Sequence, residues 1–169
     1  MAYYGKGTSS QVLTDQTAPT MSKFATAPGG GIQSISGTLT NSQIKNLHGT
    51  PIQILAAQGA GKVIVIISSC GKLNYGGNNA FTAGASQSVQ VYFGAGTTAT
   101  TWFLMPNSSL TATSTQFDIS AQSSAVFGAN SAVDNQALYA YNPIATEISG
   151  NAANDNTITY QIDYLVVSI

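Results

Sequence analysis

The stretch from Thr38 to Ile67 constrains the fold more than any other part of the chain, because start and stop signals follow one another at short range. Thr40 with Gln43 three residues on forms a capping box, in which each side chain can satisfy the other's backbone donor. A short helix therefore begins here. Gly49 and Pro51 end it, since glycine suits a left-handed exit and proline disfavours helix in the residue before it. Pro51 to Leu55 then alternates, and Val63 to Ile67 is an unbroken apolar run, the mark of a strand buried on both faces or crossing a core. Between them, Gly59-Ala60-Gly61-Lys62 reads as a glycine hairpin.

The remainder reads as strands separated by turns at short spacing. Lys72 to Tyr75 leads into the turn cluster Gly76-Gly77-Asn78-Asn79. Ser88 to Phe93 alternates, with Val89, Val91 and Phe93 on one face. Thr100 to Met105 is rich in aromatics and is stopped by Pro106 to Ser109. Gln116 to Ser120 and Ala125 to Phe127 are shorter runs, and Gln136 to Tyr141 is a strand closed by Asn142-Pro143. In the last run Ile158, Tyr160, Ile162, Tyr164 and Val166 alternate with their neighbours. These runs predict an all-β chain, an antiparallel β-sandwich with one short helix near residues 40–49 plugging an end. The pattern alone does not separate a jelly roll from an immunoglobulin-like sandwich.

A chain of 169 residues suffices for one domain with a sizeable core. Charged residues make up 7% of it, against about 25% in ordinary soluble proteins, so Ser, Thr, Asn and Gln must form the polar surface. Such a surface suits dense assemblies, where like charges repeated many times would repel. Disorder does not explain the residues after 38, because 43% hydrophobic content in strand-like runs can build a core. The five basic residues are scattered lysines and there is no arginine, so no basic stripe for nucleic acid can assemble. Cys70, the only cysteine, cannot form an intramolecular disulfide and is expected as a buried, inert thiol at the end of the Val63–Ile67 strand. The N-terminus lacks the apolar segment of a signal peptide, and no apolar run approaches the ~18 residues of a membrane span. Production and use on the cytoplasmic side, or release by lysis, is the expectation.

Residues 1–36 form a distinct zone with no sustained period, containing Pro19, Pro28 and Gly29-Gly30-Gly31. They read as an N-terminal arm with a glycine-rich hinge, leaving residues 37–169 as the sandwich domain. Tyr3, Tyr4, Lys6 and Phe24 are the expected partner-binding residues, because the arm has no core of its own to occupy them.

Motifs that suggest chemistry do not hold up. Gly59 to Lys62 fails as a phosphate loop, since Ala56 and Val63 stand where glycine and Ser or Thr are needed, and a strand follows. His48 is the single histidine and reads as a locally hydrogen-bonded helix-end imidazole. With Cys70 it cannot make a zinc site, and no G-x-S-x-G elbow exists. The six carboxylates, Asp15, Asp118, Asp134, Glu147, Asp155 and Asp163, identify no acid–base pair. Asn151 to Asn156 could donate oxygens to calcium, but lacks an alternating acidic pattern. No catalytic residue and no cofactor is therefore expected. Trp102 and Phe103 read as core or subunit seam. In a sugar- or receptor-binding head of a spike or fibre, the alternative function, Trp102, Tyr139 and Tyr141 would be the exposed aromatics.

One resemblance bears on role. The order Leu39-Thr40, Gln43-Ile44, Leu47-His48, Thr50-Pro51-Ile52, Ile54 to Ala57 and Gly59 to Ile66, followed by Lys72 to Gly77, resembles small β-rich virion structural proteins of tailed bacteriophages. The likeness covers Leu39 to Gly77 and returns at Ile158 to Val167. It implies a jelly roll and a homotrimer. It also implies a non-enzymatic role decorating or stabilising the capsid, or another particle site, by contact with the major capsid protein or another virion protein. The implied location is the virion, with the host cytoplasm during assembly.

Overall fold

Runs that are apolar on one side must bury that side, and here they do so by packing two antiparallel sheets face to face. The computed structural model describes residues 31–94, 102–121 and 133–169. Its elements in order are β1 (Gln33–Leu39), α1 (Asn41–Lys45), β2 (Ile52–Leu55), β3 (Lys62–Asn74), β4 (Phe81–Thr82), β5 (Val89–Phe93), β6 (Trp102–Met105), α2 (Asn107–Leu110), β7 (Gln116–Ala121), β8 (Leu138–Tyr141), β9 (Ser149–Gly150) and β10 (Thr157–Ser168). One sheet has the order β1-β10-β3-β7 and the other β2-β8-β5-β6, while β4 and β9 form a small separate ribbon.

Without that ribbon, the pairs β1–β10, β2–β8, β3–β7 and β5–β6 join first strand to last, second to second-last, and so on inward. Those are the pairings of one long antiparallel hairpin. Rolling the hairpin up adds β10–β3 and β8–β5 and closes both sheets. This wrap is a jelly roll, so both the all-β sandwich and its expected topology are found.

The capping box forms as the sequence dictates: Gln43 N–H donates to Thr40 Oγ1, and Thr40 N–H donates to Gln43 Oε1 at 2.8 Å. The helix is a little over one turn, and Ile44 and Leu47, both fully buried, close one end of the core. A second one-turn helix, α2, occupies Asn107–Leu110, where a plain stop was expected. Leu110 pulls that turn into the core. Among the described residues no helix is long and apolar enough to cross a membrane.

Three expectations need correction. Gly59 to Lys62 is not a hairpin, because β2 and β3 belong to opposite sheets and the glycines, at φ +101° and +72°, carry the chain across. The Val63–Ile67 run is only the start of β3, which continues for 13 residues to Asn74. Cys70 therefore lies mid-strand and half-exposed, not buried at a strand end. Finally, β1 begins at Gln33, ahead of the boundary expected at 37, because Gln33 to Ser36 pair with Gln161 to Tyr164. The run at Ala125 to Phe127 lies outside the described residues.

Sheet spacing is set tightly at Gly71. It pairs with Tyr160 on one side and Asp118 on the other, and a Cβ built on it would lie 2.0 Å from the Leu104 carbonyl oxygen of the facing sheet. Backbone, unlike a side-chain tip, cannot swing away. Gly71→Ala should thus cost on the order of 3 kcal/mol, whereas Cys70→Ala, on the outward face, should cost less than about 1 kcal/mol. Urea unfolding of the two variants checks this, and similar midpoints would contradict the close approach.

Candidate functional site

Strand alternation decides which side chains reach the surface of the β2-β8-β5-β6 sheet. Val89, Val91 and Phe93 of β5 and Leu138 and Ala140 of β8 fill the core, which turns Gln90, Tyr92, Tyr139 and Tyr141 to the other face, where Gln90 is buried and the tyrosines half-buried. Register then brings them together, because Tyr92 lies opposite Tyr139, Gln90 opposite Tyr141, and Gln53 of β2 opposite Tyr139. Tyr92 meets Tyr141 edge to face at 5.1 Å, and the His48 ring stacks on Tyr141 at 5.5 Å. Such pairs add stabilisation beyond their buried area.

His48 comes from the exit of α1 and is pinned from a distance in sequence. The Glu147 carboxylate accepts the backbone N–H groups of His48 and Gly49 at 3.0 and 2.7 Å, fixing the chain as it leaves the helix. The imidazole Nδ1 lies 3.1 Å from the Asn142 carbonyl and 3.2 Å from Tyr141 Oη. A carbonyl can only accept, which assigns the proton to Nδ1. His48 is thus held by long-range partners, not by the local bond its sequence position suggests. The tyrosine hydroxyls are also engaged: Tyr92 donates to Gln90 Oε1 at 3.1 Å and Tyr139 to Gln53 Oε1 at 3.3 Å. Partial burial, with Tyr141 alongside, raises the Tyr92 pKa, so its hydroxyl remains a proton donor at neutral pH.

Beside this face opens a cleft of about 480 Å³ between the loop before β5 and α2, with Gln87, Ser88, Gln90, Asn107 and Ser108 among its walls. Gln90 Nε2 donates to Ser88 Oγ at 2.6 Å and so links the cleft to the tyrosines. Aromatic faces next to neutral amides and hydroxyls can stack and hydrogen-bond a neutral polar ligand. Among the described residues no group of three His, Cys, Asp or Glu side chains gathers as a metal site.

Tyr3, Tyr4, Lys6 and Phe24, the expected partner contacts, lie outside the described residues. So does the side chain of Trp102, whose backbone pairs with Val91. Tyr139 and Tyr141 are brought together as neighbours on one face; Tyr92, His48 and Gln90 join them, a grouping that the sequence hides because it depends on register. In the Asn151–Asn156 loop the oxygens already accept from protein donors. Lys45 Nζ bonds Asn151 O at 3.0 Å and Asn154 Oδ1 at 2.9 Å, and Asp155 accepts from Asn151 and Asn78.

Comparison with known proteins finds no matching family model, and no curated protein or solved structure matches the chain.

Two carboxylates are held below their ordinary pKa by hydrogen bonds: Asp155 by Asn151 and then Asn78, and Asp163 by Ser34, then Gln161 and Ser68. A depressed folded pKa gives stabilisation that is complete above the unfolded value and is lost as pH falls through the folded one. The urea midpoint should therefore fall as pH drops from about 5 toward 2. An Asp155→Asn/Asp163→Asn double variant should start lower at neutral pH and converge on the wild type in acid. Parallel pH profiles would show that these clasps contribute nothing to acid sensitivity.

Proposed function

We propose that this chain is a non-enzymatic structural protein of a tailed-phage particle, a trimeric jelly roll that decorates or stabilises the capsid or another particle site. A fold of this kind hosts many roles, so the wrap alone does not carry the reading. What supports it is where the resembling segments fall. Leu39 to Gly77 takes in the end of β1, α1, β2 and β3, and Ile158 to Val167 is β10, which lies between β1 and β3 in one sheet. Two segments far apart in sequence therefore belong to one connected unit, as an inherited scaffold requires.

The residues ahead of β1 supply the attachment in this reading. About 30 residues can reach roughly 100 Å when extended, and they join the sandwich at an edge strand. Tyr3, Tyr4, Lys6 and Phe24 would contact the major capsid protein or another virion protein. Ordering such an arm costs roughly 1 kcal/mol or more per residue, so extensive contacts and many copies are needed to hold it. Deletion of residues 1–31 should leave circular dichroism unchanged and abolish the chain's density on particles viewed by electron microscopy. Truncated protein that still decorates particles would place attachment on the sandwich instead.

A second reading, a carbohydrate- or receptor-binding head, is favoured by the Tyr92, Tyr139, Tyr141 and His48 face beside the neutral cleft. Flat aromatic rings stack on sugar rings, and amides bond their hydroxyls. Glycan-array binding that drops at least about tenfold in Tyr139→Ala and Tyr141→Ala variants would support it. An array on which the wild type binds nothing would remove it.

A further inference from the structure

Strand β7 carries its side chains in the reverse of the usual arrangement for a strand over a core. Phe117 and Ile119 point outward, 60% and 71% exposed. Asp118 between them turns inward, and one of its carboxylate oxygens is buried without a hydrogen-bond partner. A slip of one residue against β3 would exchange the two sets. The register held is nonetheless Lys72 opposite Phe117, Gly71 opposite Asp118 and Cys70 opposite Ile119. Single exposed apolar side chains need no explanation, but a strip of them on the rim of a sheet, beside a half-exposed cysteine, does. A shallow depression of about 210 Å³ adjoins the strip, with Cys70, Lys72 and Phe117 among its walls.

We infer that this outer face is a contact between copies of the chain, with the Phe117–Ile119 strip packed on a second copy as the seam of the trimer proposed above, a reading on which the inference rests. Charge selects the occupant. Across the outward rows of β1, β10, β3 and β7 stand Ser34, Ser36, Ser68, Thr159 and Gln161, one cation, Lys72, and one carboxylate, Asp163. Lys72 and Asp163 lie on opposite sides of the Cys70–Gln161 row. Copies arranged head to tail can set the Lys72 end of one strip beside the Asp163 end of the next, with no like charges forced together. The face thus complements itself, and head-to-tail contacts close into a ring when the rotation between copies is a third of a turn. The inward Asp118 disfavours open-ended strand addition along the β7 edge, which leaves the face as the contact surface.

Cys70 gives a reading of the seam in the unaltered protein, since it is the only thiol and sits directly across from Ile119. Light scattering on the full chain should give an oligomer, and maleimide labelling of Cys70 should be at least about tenfold slower in the assembled protein than after dilution to monomer. Ile119→Lys and, separately, Phe117→Ser should give folded monomers by circular dichroism, with Cys70 labelled at the fast rate at every concentration. A wild type that assembles while Cys70 labels equally fast at all concentrations, or an Ile119→Lys protein that still assembles, would overturn the seam and leave the oligomer itself standing. A wild type that is monomeric throughout would overturn the seam and the trimer together. If a variant fails to fold, the concentration dependence of labelling in the wild type decides alone.

Discussion

Everything in this molecule depends on the place of β10 between β1 and β3. The twelve-residue strand pairs with β1 from Gln33 to Leu39 and with β3 from Lys62 to Asn74, so the last strand holds the first one described. Neither partner could bury its inward side chains without it. Leu39 and Leu73 lie on either side of Ile158, and all three are essentially inaccessible to solvent. Because these contacts join residues more than 80 positions apart, loop closure must precede much of the stabilisation, as expected of all-β wraps. The bulge where Ile67 is left unpaired, between Ser68–Asp163 and Ile66–Tyr164, shows how the long strand adjusts. It switches the facing of β3 midway, and so Ile64 and Ile66 before it and Ser69, Gly71 and Leu73 after it can all face the core.

How much of this was legible followed the range of the interaction. The capping box at Thr40 and Gln43, the alternation of Val89, Val91 and Phe93, and that of Ile158 to Tyr164 are local, and the sequence states them. Sheet membership is not local. Gly59 to Lys62 looks like a hairpin from its glycines, yet a crossover between sheets uses the same left-handed conformations. Ser68, Ser69 and Cys70 look like the end of a strand because they are polar after an apolar run, but Ser68 and Cys70 face outward and the ladder continues beneath them. Likewise Tyr139 and Tyr141 could be picked as outward aromatics. The participation of Tyr92 and His48 required knowing that β5 pairs with β8 and that the helix exit packs there.

The scarcity of charge is matched by an unusual use of asparagine. Asn41, Asn142, Asn151 and Asn156 are buried; the Asn142 side chain closes its own loop, and the other three tie together segments that the strands leave apart. Asn151 alone links Asn41 of the helix, Asn79 of the turn after β3, and Asp155 of its own loop. An amide can do this while both donating and accepting, and a carboxylate in the same place would bring a charge that costs several kcal/mol to bury. The positive φ angles of Asn151 and Asn154, 40° and 57°, suit a residue that tolerates the left-handed region. Among the described residues the loop end of the sandwich is therefore held by amide hydrogen bonds, which salt screens little.

The two outer faces have been shaped by different demands. On the β2 sheet the tyrosine hydroxyls are satisfied internally, by Gln53, Gln90 and His48. On the β1 sheet the hydroxyl residues cluster around Asp163 at one end, while the other end exposes Phe117 and Ile119 among the described residues. The arm enters at β1, and the apolar strip lies three strands away on β7, roughly 14 Å across the same sheet. In the reading proposed above, attachment through residues 1–31 and contact between copies through the strip would use opposite rims of one sheet. On that reading each would form without displacing the other, and a copy held by the residues ahead of β1 would still present the strip to its neighbours. An assembly built this way gains from every added contact without requiring any one of them to be strong.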